Sequence, residues 1–163
     1  MTSEEKEIIK NEIDTANKIA IIKSQDIYKE LLNSEQLGLI NEVLQYAKSR
    51  LEHEDNQDGI ITELVVSNLL AILDTPRLFD ELLPEDQMKL TSRLRDYLID
   101  QVSPNVKDTP ISIARSLTTK NMLSALDHLD IIFPGQQTEY HFRITETIKR
   151  RILHKDTVPS TQF

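Results

Sequence analysis

In the stretch EDNQDGIITELV, Glu54, Asn56 and Asp58 take positions 1, 3 and 5 of a calcium-loop pattern. Gly59 follows at position 6, Ile61 stands at position 8, and helical sequence lies on each side. Alternate side-chain oxygens ahead of a glycine turn are what a hard cation requires. The pattern stops short, because position 12 falls on Val65, where a bidentate glutamate should close the oxygen shell, and position 1 is Glu rather than the shorter Asp. The same residues also make an acidic, solvated turn in which Gly59 ends one helix and Asp58 caps the next. No metal is therefore assigned to Glu54, Asn56 and Asp58.

A second chemical constellation is LDHLD, where Asp127 and Asp130 flank His128. A carboxylate beside an imidazole can orient a general base or hold a metal. On a helix, residues one and two apart point to different faces, so the three converge poorly. His53, His141 and His154 have no ligand-type residue three or four positions away, and neither HExxH nor an ExxH pair occurs. Gly38, Gly59 and Gly135 are isolated, which disfavours a phosphate-cradling loop. No serine sits in a nucleophile elbow. With no cysteine in the chain, thiolate catalysis, cysteine metal sites and disulfides are excluded.

The third group is basic. KRRILHK spans residues 149 to 155, and between 139 and 156 five cations (Arg143, Lys149, Arg150, Arg151, Lys155) face three anions. Arg143, Lys149, Arg150 and Arg151 form a candidate docking patch for phosphate or an acidic protein surface. Cations in the last turns of a helix also answer its dipole. The net charge of −8 makes nucleic acid an unfavourable partner. With no tryptophan, stacking platforms for single strands are scarce.

These residues must be carried by helices. Three glycines and six prolines in 163 residues, with apolar side chains three and four apart, predict an all-α chain. Helices are expected over about 4–32, opened by a Thr2/Glu5 capping box and divided near Ser24–Gln25–Asp26, then over 33–53 and 59–73. Further helices are expected after Thr75–Pro76, from Pro84 to about 102, over 110–133 with a break near Thr118–Thr119, and over 136–154. The 59–73 segment is apolar all round and belongs at the centre. Inward positions are expected at Ile9, Ile13, Ala16, Ala20, Ile27 and Leu31 in the first helix. In the second they are Leu37, Ile40, Leu44, Ala47 and Leu51, and after Pro84 they are Met88, Leu94, Leu98 and Val102. Ile8, Ile19 and Ile22 would then face outward, where a second copy of the chain could cover them.

Residues 17–51 and 68–102 align without a gap at a spacing of 51. Asn17, Ala20, Ile21, Glu30, Leu31, Leu32, Gln36, Leu39 and Tyr46 meet identical residues, and a third start, NMLSALD at 121–127, follows at a spacing of 53. The pattern predicts antiparallel helical hairpins in tandem (about 17–67, 68–120 and 121–155) in a single domain over 1–155, with 156–163 as a flexible tail. Period and helicity resemble HEAT or armadillo arrays, whose units are about 40 to 47 residues. A right-handed stack or a duplicated closed bundle would each satisfy the spacing.

No apolar run reaches the roughly 20 residues of a membrane span, and the N-terminus lacks the form of a signal peptide. A soluble cytoplasmic protein is expected, with no cofactor and no enzymatic activity. Another protein is the expected partner, in an adaptor, inhibitor, immunity or regulatory role. The competing readings are a metal-dependent or acid–base enzyme at Asp127/His128/Asp130 or the 54–58 loop, and a nucleic-acid binder working through the last helix.

Overall fold

A computed structural model describes residues 2–53, 59–102, 112–135 and 138–161, with side chains described as far as Leu153. Among these residues all regular structure is helical. In chain order the helices are α1 (Ser3–Lys23), α2 (Gln25–Tyr28), α3 (Asn33–Glu52), α4 (Gly59–Leu73), α5 (Pro76–Phe79), α6 (Pro84–Val102), α7 (Ser112–Leu126), α8 (Leu129–Ile132) and α9 (Thr138–Thr161). They divide into two compact units, 1–90 and 91–163.

Local chemistry sets the helix ends. The Thr2 hydroxyl accepts from the Glu5 N–H at 3.1 Å and the Glu5 carboxylate accepts from the Thr2 N–H at 2.9 Å, completing the expected capping box. At Ser24 the chain turns extended, and its hydroxyl accepts the Ile27 N–H, so the first long helix is indeed divided there. Leu32, which has no side-chain acceptor, precedes α3; Glu35 bonds back to its N–H at 2.9 Å. Thr75 stands at the N-cap of α5 as its sequence position suggests, but its side chain makes no cap bond. Its hydroxyl donates instead to the Ala71 carbonyl at 2.7 Å, while Pro76 opens the helix at a position needing no donor. Thr118 and Thr119 do not interrupt α7 either. Their hydroxyls bond back to the carbonyls of Ala114 and Arg115, and the chain breaks later, at Asp127–His128.

The one-turn helices α2, α5 and α8 are closed alike. Tyr28 donates to the Ser24 carbonyl at 2.8 Å, Phe79 to that of Thr75 at 2.8 Å, and Ile132 to that of His128 at 2.9 Å. Lys29, Asp80 and Phe133 then donate to Gln25, Pro76 and Leu129. The Gln36 carboxamide reaches the Tyr28 carbonyl at 2.8 Å, and 51 positions on Gln87 reaches that of Phe79 at the same distance.

In the first unit α1 packs against α4 and α3. Ile19 and Ile22, Val43 and Ala47, and Ile61, Val65, Leu69 and Ile72 fill its interior, with α4 buried on nearly every side as its composition predicts. Where the ends of α1 and α4 meet, Lys23 pairs with Asp74 at 2.8 Å. Arg77 spans the same junction, donating to the Ile22 carbonyl at 3.0 Å with its guanidinium 4.1 Å from the Tyr28 ring centroid. In the second unit α7 packs on α9 and α8 around Met122, Ile132, Ile144 and Ile148. Phe133 stacks on Tyr140, and Arg95 donates to the Ile132 carbonyl at 2.8 Å.

Several inward positions differ from the pattern. Ile13, Ala16, Ala20, Ile27, Leu37 and Met88 are exposed, whereas Ile19 and Ile22, expected outside, are buried. Each helix advances 100° per residue, and Ile13, Leu37 and Met88 each lie six residues before a buried position (Ile19, Val43, Leu94). That separation turns them 120° off the buried face.

Candidate functional site

A buried polar cluster of the first unit is built around Glu12, only 1% exposed. It falls on the buried stripe of α1 with Thr15, Ile19 and Ile22. From α3, Arg50 binds one carboxylate oxygen through Nε at 2.9 Å and also through Nη2, while the Tyr46 hydroxyl donates to the other. From α4, Asn68 donates to that second oxygen and to the Glu12 backbone carbonyl, each at 2.9 Å. Burial, then the adjacent Glu12 charge and its hydrogen bond, push the Tyr46 phenol well above its ordinary range, against the opposing pull of Asn68 and Arg50. A carboxylate, a phenol and a guanidinium are the residue types of an acid–base centre. Here their bonds are spent joining three helices, and Glu12 is out of reach of a substrate.

Sequence patterning overlooked this cluster because an apolar stripe was sought and a charged residue holds its centre. Two signals point to it: Glu63 stands 51 positions beyond Glu12, and the same spacing relates Tyr46 to Tyr97 and Asn17 to Asn68. Glu63 is buried like Glu12.

The residues singled out from sequence are dispersed. Glu54, Asn56 and Asp58 lie outside the described residues, and among the described residues no three His, Asp or Glu side chains are grouped to hold a metal. His128 is half-buried at the start of α8 with Asp127 and Asp130 exposed beside it, and its side chain makes no cap bond to α8. His141 meets the Phe133 ring edge-on, and its Nε2 is buried with no hydrogen-bond partner among the described residues. On α9, Arg143, Lys149 and Arg150 are exposed and Arg151 is half-buried. Arg143 and Arg150, seven apart, share a flank; Lys149 lies on the neighbouring stripe, 3.7 Å from Glu146.

A different surface stands out once the helices are in place. Leu32 (68% exposed) and Leu37 (61%) mark the start of α3, and Leu83 (56%) and Met88 (73%) mark the start of α6, at the same spacing of five. Both pairs lie at one end of the first unit, since Gln36 and Gln87 tie the two helix starts to α2 and α5, and Arg77 of α5 covers Tyr28 of α2. Asp26, Glu30, Glu35, Asp80, Glu81 and Glu85 rim this edge.

No protein-family model matches the chain, and no curated protein or solved structure matches it significantly. Among the described residues no helix is long and apolar enough to cross a membrane.

Proposed function

We propose that this chain is a non-enzymatic protein-recognition domain. In this reading it is built of tandem helical hairpins, each a long helix, a one-turn helix and a second long helix, with the partner bound at the edge formed by the starts of α3 and α6. The hairpin reading is supported by the bonds that recur around α2, α5 and α8, and by the Lys23–Asp74 pair, whose members are themselves 51 positions apart. The observation that carries recognition is the edge itself: two matched apolar pairs, each residue more than half exposed, within an acidic rim. Large exposed apolar side chains gathered at one end of a unit mark interaction sites. The role would be that of an adaptor, inhibitor or regulatory subunit, and repeats that shield one another leave such edges open.

A photo-crosslinking residue placed at Leu37 in the native host tests this. One discrete protein adduct is expected, competed by excess unlabelled chain and lost in the Leu83→Glu/Met88→Glu background. Adducts no different from those of the same probe at exposed Lys48 would overturn the proposal.

A further inference from the structure

We infer that the apolar edge of the first unit docks α9 of a second copy of this chain, head to tail; this rests on reading that edge as a recognition surface. The two surfaces differ in sign. Segments 26–37 and 77–89, which bear the edge, hold seven carboxylates against three cations, whereas 139–156 holds five cations against three anions in a chain of net charge −8. The outer face of α9 is also apolar where the charges allow. Phe142 and Leu153 are exposed large apolar side chains, and with Glu146 and Lys149 they fall on one stripe at spacings of four, seven and eleven. Arg143 and Arg150 run along its flank, and Ile144 and Ile148 are buried on the opposite side. An exposed basic helix with apolar side chains about 16 Å apart is the complement of an acidic edge bearing two apolar pairs.

Because the edge and α9 are different surfaces, a pair joined by one contact keeps one free edge, on the copy that lent its α9, and one free α9, on the copy that lent its edge. The interface is heterologous, so association either closes into a ring or continues as a chain. Opposite charges steer the encounter, so it weakens with salt.

Sedimentation of the full chain over a concentration series at low salt is the test, with circular dichroism confirming that each variant folds. Wild type is expected to associate reversibly and to disperse as salt is raised. Leu37→Glu/Met88→Glu, which spoils the edge, and Lys149→Glu/Arg150→Glu, which spoils α9, are each expected to weaken association by roughly thirtyfold. An equimolar mixture of the two variants retains one good edge and one good α9, and is expected to form a dimer that grows no further. A wild type monomeric at every concentration, association untouched by both variants, or a mixture no larger than its components would overturn the inference. The crosslink from Leu37 to another host protein is read separately, so failure of self-docking and failure of the recognition reading are distinguishable.

Discussion

Asn68 reaches Glu12 twice, donating from one amide nitrogen to the backbone carbonyl and to the carboxylate, each at 2.9 Å. With Arg50 and Tyr46 from the other side, it leaves the buried carboxylate fully answered, and removing any one donor is then costly. Arg50→Ala is expected to lower stability by about 3 kcal/mol, because Glu12 keeps its burial while losing the countercharge. Urea denaturation of Arg50→Ala, Glu12→Gln and the double variant measures this, with a coupling of about 1 kcal/mol or more between them. Single losses below that size would show the cluster to be peripheral.

Tyr46 supplies a pH signature. Its folded-state value is raised, so the native state holds the phenolic proton more tightly than the unfolded chain. The associated stability is complete below the ordinary value of 10.0 and is lost as pH climbs above it, at up to about 1.4 kcal/mol per pH unit. Tyr46→Phe should therefore flatten part of the alkaline limb of a stability profile recorded between neutral and strongly basic pH. An unchanged limb would refute the assignment.

Gln36 and Gln87 make the same bond to carbonyls eight residues earlier. Gln36→Ala and Gln87→Ala should each cost about 1 kcal/mol, agree with each other within about 0.5 kcal/mol, and add in the double variant. Denaturant midpoints decide it: a large disparity would mean that the two corners are not mechanically equivalent.

His141 points the other way. Its buried Nε2 has no partner among the described residues, so His141→Leu removes an unanswered polar atom beside Phe133. A gain of about 1 kcal/mol is expected in thermal or urea unfolding. A loss would assign that nitrogen a stabilising role.

What could be read from the chain was local. The Thr2/Glu5 box, the division at Ser24, the proline starts at Pro76 and Pro84 and the apolar helix α4 each follow from a few neighbouring residues, and each is present. The inward face of α1 was not legible: hydrophobicity alone favours Ile9 and Ile13, while the real face includes Glu12, whose burial depends on donors 34, 38 and 56 positions away. Leu37 and Met88 illustrate the same limit, since heptad counting cannot set the rotation of a helix whose neighbours are unknown. The apolar edge at α3 and α6 was hidden for that reason, since two of its four residues, Leu37 and Met88, read as core.

α4 is greasy around its whole circumference, so oil-like contacts give it no preferred rotation or height against α1. The Asn68 amide acts as a detent: sliding by one turn, about 5.4 Å, would strand an ionised group among methyls. Replacing the whole cluster by apolar side chains (Glu12→Leu, Tyr46→Phe, Arg50→Met and Asn68→Leu) should leave the melting point nearly intact yet let the two rods settle in more than one alignment, visible as doubled amide resonances.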